Sequence, residues 1–328
     1  MEALRQIADA VLYEGYLLWP YRRSAIKNQQ SWTFGGVYPA AYSAQRPDDP
    51  SVMQTQCLLE ADDATAIDVA VRFLHVVRRR PERPSGTEPV DVLEVGGERH
   101  VAGEEATERE IAARGLHLNE LRTARRVAIR IPAGSARERI AEAAALVRSW
   151  QALEGAVEVR ADRRDGALFR LTVRISNTTP WEGADRRQAL ERTFCSTHTT
   201  LRAQGGAFVS LTDPPAELRA EAEACENAGT WPVLVGDEGD RSTILSSPII
   251  LPDYPRVAPE SPGDLFDATE IDQLLVLNIL SLTDEEKREM RESDPRAREI
   301  LERTESLTEE QLMRLHGAIR EFGMVRRP

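Results

Sequence analysis

Lysine is nearly missing from this chain: of its 42 basic residues only Lys27 and Lys287 are lysines, a bias that fits the codon usage of a GC-rich genome. Positive charge is short as well, since 54 acidic residues leave a net charge of −12. Nucleic-acid binding needs a basic footprint, so that class is excluded. No apolar run approaches the ~20 residues of a membrane-spanning helix. The start, MEALRQIADAVLYEGYLLWP, carries Glu2, Asp9 and Glu14 and lacks the basic flank of a signal peptide. Cysteines number three, Cys57, Cys195 and Cys225, too few and too widely spaced for a disulfide framework or a CxxC metal site. A reducing cytoplasm is the expected compartment.

Phosphate loops are absent too. TFGGVYP, VGGERH and QGGAF each hold a glycine pair, but none opens a helix with GxGxxG or GxxxxGKS spacing, so they read as turns or bulges. The five histidines form no HxH, HExxH or CxxH set.

What the chain does have is a concentration of aromatics. Of its 18, Tyr13, Tyr16, Trp19, Tyr21, Trp32, Phe34, Tyr38 and Tyr42 fall within one short stretch rich in proline and glycine. Tyr and Trp dominate protein interfaces, and a short non-periodic segment cannot bury so many within itself. Tyr13, Tyr16, Trp19, Tyr21 and Trp32 are therefore expected to meet a partner or a second copy, with Arg22, Arg23 and Lys27 as a polar rim attracting an acidic surface. The competing expectation is that the segment packs along the protein's own sheet.

Period-two alternation governs the middle of the chain. Ile67, Val69, Val71, Phe73, His75 and Val77 share one face of a strand, and Arg78 to Pro84 reads as a loop. Val127, Ile129 and Ile131 alternate with polar residues, as do Val157 and Val159, and then Phe169, Leu171, Val173 and Ile175. Asp165-Gly166 marks a hairpin, which implies antiparallel pairing with one wet face. Residues 193 to 211 read as two strands around Gly205-Gly206. Between the strands, ARERIAEAAALVRSW places Ile140, Ala143, Ala144 and Val147 at helical spacing and predicts a crossing helix.

The ends read as helical. Leu4, Ile7, Ala8 and Val11 form a stripe before Pro20. Ile271 to Leu280 is apolar, and capping signals at Thr283 with Glu286, Asp294-Pro295, and Thr308 with Gln311 start three short helices. The expected fold class is α+β: an antiparallel β-sandwich-like domain with a helical C-terminal region. Its parts are an aromatic segment over residues 1–50, a β-rich domain over 51–235, an extended proline-rich connector over 236–270 and short helices over 271–328.

Two groups could carry chemistry. Glu260, Asp264, Asp267, Glu270 and Asp272 are oxygen donors of the kind calcium or magnesium takes, but EF-hand spacing is missing and Asp264 and Asp267 suit a helix cap. Cys195 and His198 in FCSTHTT suggest a nucleophile and base, yet residues three apart on a regular strand point to opposite faces. No metal or cofactor is expected.

The stretches LYEGYLLWPYRRSAIKNQQSWTFGGVYP, VRISNTTP, STHTTLRAQGGAFVSL, SSPIILPDYPRVAPESPGDLFDATEID and LTDEEKREMRESDPRAREILER together resemble a family of bacterial proteins encoded beside high-affinity uptake nickel-iron hydrogenases. The resemblance covers nearly the whole chain and brings no assigned catalytic residue. It implies an accessory role in assembly, maturation or scaffolding, with hydrogenase subunits or another accessory protein as partners. The alternative is a hydrolase or metal-dependent enzyme using the acidic cluster 260–272 or Cys195.

Overall fold

The computed structural model describes Leu12, residues 35–83, 90–141, 144–183 and 185–255, and scattered residues between 283 and 306. Contact clustering divides the chain into two units: Met1–Tyr16 with Gln30–Pro255, and Leu17–Gln29 with Arg256–Pro328. The described part of the first unit is built from antiparallel β-sheet.

Fourteen strands are described: β1 Val52–Glu60, β2 Ala66–Glu82, β3 Val92–Val95, β4 Glu98–Val101, β5 Gly103–His117, β6 Arg125–Ile131, β7 Gly134–Ala141, β8 Ala144–Trp150, β9 Leu153–Arg163, β10 Leu168–Asn177, β11 Cys195–Gln204, β12 Ala207–Val209, β13 Trp231–Leu234 and β14 Thr243–Ser247. One sheet runs β12-β1-β10-β9-β6, and the other β13-β14-β11-β2-β8-β7 with β5 also on β2. Strands β3 and β4 form a separate hairpin whose turn is Gly96-Gly97, both at positive φ.

The alternation seen in the sequence sets the inner faces. Ile67, Val69, Val71 and Phe73 from β2 meet Phe169, Leu171, Val173 and Ile175 from β10 and Val157 and Val159 from β9 in one buried cluster, so the two sheets share a core. Arg170, Thr172 and Arg174 alternate with those β10 residues, and Arg174 is exposed. That is the predicted wet face. Strands β9 and β10 join through Asp165-Gly166 with Gly166 at φ +63°, where a residue without Cβ carries no penalty. Gly205-Gly206 separates two strands as expected, but β11 and β12 lie in different sheets, so the pair is a crossover rather than a hairpin turn.

Several expectations are corrected. The crossing helix over 136–150 is instead the β7–β8 hairpin, paired from Gly134 with Trp150 inward. Arg78 to Glu82 is not turn or loop but the last part of β2, paired with β8 along its length and with β5 at Arg78 and Arg79. Its charges are neutralised there: Arg78 pairs with buried Glu191 and Arg79 with buried Glu105. The sheet also runs beyond residue 235, since β14 pairs with both β11 and β13.

Residues expected to be helical near the N-terminus lie outside the described set except Leu12, which is helical and buried. Of the C-terminal helices, single turns are described, from Lys287 N to Thr283 O at 2.9 Å and from Ser306 N to Glu302 O at 3.0 Å. The remainder of those segments lies outside the described residues. Among the described residues, no helix is long and apolar enough to cross a membrane.

Candidate functional site

Strand β11 starts irregularly. Cys195 pairs with Leu74 and His198 with Arg72, so two β11 residues, Ser196 and Thr197, oppose the single Phe73 on β2. This is a β-bulge, and Ser196 supplies it by taking φ 50°, a conformation uncommon outside glycine. The bulge is held from outside the sheet: Thr197 N donates to Gly35 O at 3.0 Å and Thr197 Oγ1 to Phe194 O at 2.8 Å. Gly35 is required at that contact, because a Cβ there would stand 2.6 Å from Pro248 Cγ.

The extra residue changes which side chains are neighbours. Leu74 and Arg72 are two apart on β2 and share a face, so their partners Cys195 and His198 share it too. The opposite-face expectation assumed a regular strand and is corrected.

Both groups are buried. Cys195 lies in a small second core with Leu12, Tyr38, Tyr42, Leu74, Trp181, Ala189 and Leu190, and its Sγ faces the Leu190 and Thr193 carbonyls at 3.9 and 3.7 Å. His198 Nδ1 stands 3.3 Å from the Ser196 carbonyl, which an N–H must face, while Nε2 makes no hydrogen bond. Burial, and then the nearby Arg72, push its pKa down to about 4. Arg72 pairs in turn with Glu108 at 2.9 Å. At neutral pH this side of the strand carries an uncharged imidazole and, separately, a thiol directed at backbone carbonyls. That thiol is not presented for attack.

Other residues in the distinctive motifs act as joints. Asn177, in VRISNTTP, donates from Nδ2 to Val37 O and to Arg192 O, both at 2.8 Å, and accepts from Thr179 N at 2.9 Å. Asp253, in LPDYP, accepts from Ser210 Oγ at 2.5 Å and from Leu234 N at 2.8 Å. Buried Thr55, Thr230 and Ser246 satisfy one another through hydroxyl contacts of 2.8 and 2.7 Å. Each motif thereby closes backbone or hydroxyl groups that burial would otherwise leave unpaired.

The aromatic segment is described only at its end. Tyr38 and Tyr42 stack with centroids 5.4 Å apart, Trp181 meets Tyr42 edge-on at 5.6 Å, and Arg186 donates to Tyr38 Oη at 2.7 Å. These two tyrosines are built into the protein's own body. Tyr13, Tyr16, Trp19, Tyr21, Arg22, Arg23, Lys27 and Trp32 lie outside the described residues, as does the acidic cluster 260–272.

Sequence reasoning missed Ser196, because serine carries no turn signal inside a strand. It also missed Arg72, whose place beside His198 depends on the shifted register. Among the described residues no three His, Cys, Asp or Glu side chains group as a metal site. No protein-family model matches the chain, and no curated protein matches it.

Proposed function

We propose that this protein is a non-catalytic accessory protein of a nickel-iron hydrogenase complex, acting in assembly, maturation or scaffolding through protein–protein docking in the cytoplasm. The division of the chain carries the reading. Leu17–Gln29, which contains Trp19, Tyr21, Arg22, Arg23 and Lys27, groups with Arg256–Pro328 in a unit separate from the β-sheet body. The first of these stretches has the aromatic and arginine content of interface hot spots, and the second reads from its capping signals as short helices. Within that unit Glu305 pairs with Arg291 at 2.5 Å and with Lys287 at 3.4 Å, contacts that suit helix-on-helix packing. The β-sandwich serves as scaffold, and the resemblance of the motifs to the hydrogenase-linked family supplies the partner class.

The catalytic alternative draws on one observation, the placement of Cys195 and His198 on one face. Against it stands the thiol's burial among the Leu12, Tyr38 and Trp181 side chains. Affinity purification of the full chain from its native host tests the docking reading, with hydrogenase subunits or accessory proteins expected to co-elute. Recovery free of any hydrogenase component, from cells shown to be making the enzyme, overturns it.

A further inference from the structure

Two strands end their sheets on the same side of the sandwich, and neither has a second neighbour strand among the described residues. β5 lies outside β2, and β6 lies outside β9. The short connection between them, through the 3-10 turn Glu120–Arg122, packs on both β5 and β9 and buries Leu118 and Leu121 in the shared core. β5 therefore ends where β6 begins, and the two run in opposite directions. The core stops short of this side: Ile111 and Leu116 of β5 and Val127 and Ile131 of β6 are only partly buried against it.

An open strand edge is a template for pairing with another chain, and bulges and charges restrict which pairing forms. On β5 the ladder to β2 shifts between Ile67 and Val69, so that Arg114 and Gly115 stand opposite Asp68, with Gly115 at φ +62°. That bulge ends the regular edge at Ala113, and residues 107–113 before it match in length the 7 residues of β6, Arg125–Ile131. Outward-facing charge differs in sign between the two edges. Glu108 and Glu110 lie on the outer face of β5 beside Arg72, and Arg126 and Arg130 lie on the outer face of β6 beside Glu158 and Glu154. All four are exposed, Glu108 pairing with Arg72 at 2.9 Å and Arg126 with Glu158 at 3.7 Å.

We propose that a second copy of this chain closes this side, β5 of each copy pairing antiparallel with β6 of the other. A two-fold axis along the strands, midway between the sheets, brings each sheet level with the opposite sheet of the partner, so that two sandwiches become two continuous sheets over one core. Set end to end, 107–113 and 125–131 place Ile111 across from Val127 and Thr107 across from Ile131 on the inner side. On the outer side Glu108 faces Arg130, and Glu110 lies on the diagonals to Arg126 and Arg130. Pairing of like strands is opposed by charge: β6 against β6 centred on Ala128 sets Arg126 against Arg130, and β5 against β5 centred on Glu110 sets that carboxylate against its own copy. The inference does not rest on the hydrogenase reading.

Sedimentation velocity on the full-length chain reads the association directly, and wild type is expected to be a dimer. The β5 reversal Glu108→Arg with Glu110→Arg, and the β6 reversal Arg126→Glu with Arg130→Glu, should each raise the dimer dissociation constant by about tenfold or more, because each sets like charges together at both junctions. Glu94→Arg, an equivalent change on the exposed β3–β4 hairpin, should not. Equimolar mixing of the two reversed proteins should restore a dimer, since both junctions then join opposite charges. Should the β5 reversal not fold, the β6 reversal is read with hydrogen exchange on wild type, where amides of 107–113 and 125–131 should gain protection as concentration rises while β7 does not. A wild-type monomer up to about 0.1 mM, a dimer indifferent to the β6 reversal, or folded reversals that stay monomeric when mixed, overturns the proposal.

Discussion

Cys195 and His198 stand on the same side of their sheet although three positions separate them, because Ser196 takes φ 50° and adds one residue to β11 between the pairs with Leu74 and Arg72. Everything on that side of the strand depends on this turn. The neutral imidazole, its Arg72 neighbour and the small core around Tyr38 and Trp181 would all shift register in a regular strand.

Replacing Ser196 by Gly should therefore stabilise the protein by about 1 kcal/mol, since glycine adopts positive φ without the Cβ penalty. The change also deletes a buried hydroxyl that has no hydrogen-bond partner. Ser196→Val should destabilise by about 2 kcal/mol or more, because a branched Cβ resists that conformation. Urea midpoints for the two variants should move in opposite directions. A glycine variant clearly less stable than wild type would show that the hydroxyl, not the backbone, holds the bulge.

The bulge also marks where sequence reading stopped. Strands β2, β9 and β10 were legible because one side faces a core and the other water, so burial imposes a period of two. The β7–β8 hairpin was not, because its Ala, Arg and Glu residues are good helix formers and β8 is buried at Ala144, Ala145 and Leu146 in succession, which erases alternation. What decided the outcome is tertiary: the far half of β2 offers a free ladder from Arg78 to Glu82, and β8 fills it. Arg79 gave no sign of facing inward, since the compensating Glu105 and Arg148 come from other strands. The candidate site was legible only as residue types, Cys195 and His198, and not as geometry.

Val173 tests the shared core. It is 1% exposed and lies between the two sheets, so Val173→Asp buries an unpaired charge and should abolish cooperative folding at neutral pH. Arg174→Ala, one residue on and exposed, should stay within about 0.5 kcal/mol of wild type. Thermal melts of the pair check the assigned faces; an undisturbed Val173→Asp melt would contradict them.

Acid should weaken the fold through two histidines. Burial first, and then Arg109 for His75 and Arg72 for His198, lower both pKa values to about 4 from the ordinary 6.5. Below pH 6.5 the unfolded chain takes up protons that the folded one refuses, so stability is complete above that pH and falls as pH drops toward 4. Each histidine accounts for up to about 3 kcal/mol of the loss. Urea unfolding between pH 8 and 4.5, in chloride without phosphate or carboxylate buffer, should show this slope, and His75→Gln and His198→Gln should each reduce it. Equal slopes in wild type and both variants would mean that the imidazoles are already charged in the fold.

Asn177 should prove to be a structural joint. Asn177→Ala leaves the Val37 and Arg192 carbonyls without the amide that serves both, at a cost on the order of 2 to 4 kcal/mol. Because Val37 also pairs with Phe194, the loss should loosen the stretch leading to Tyr38 and Tyr42 before the rest of the sheet. Hydrogen exchange should reveal faster exchange at residues 37–42 while β9 and β10 stay protected. Uniform loss of protection would instead make Asn177 part of a single cooperative unit.

The aromatic segment should divide in function where the two units divide. Tyr38 and Tyr42 stack on each other, meet Trp181 and Arg186, and belong to the β body. Tyr42→Ala removes buried aromatic surface and should lower stability by about 3 kcal/mol. Trp19 and Arg23 belong to the stretch that groups with residues 256–328 in the other unit. Changing both to Ala should leave thermal unfolding of the sheet body unchanged and abolish capture of the proposed partner, since interface energy concentrates in such Trp and Arg residues. Measured side by side on the full-length protein, melting and co-purification separate the roles. If the Trp19 and Arg23 variant melts lower yet still captures its partner, the stretch is internal structure and docking must rest on the C-terminal residues.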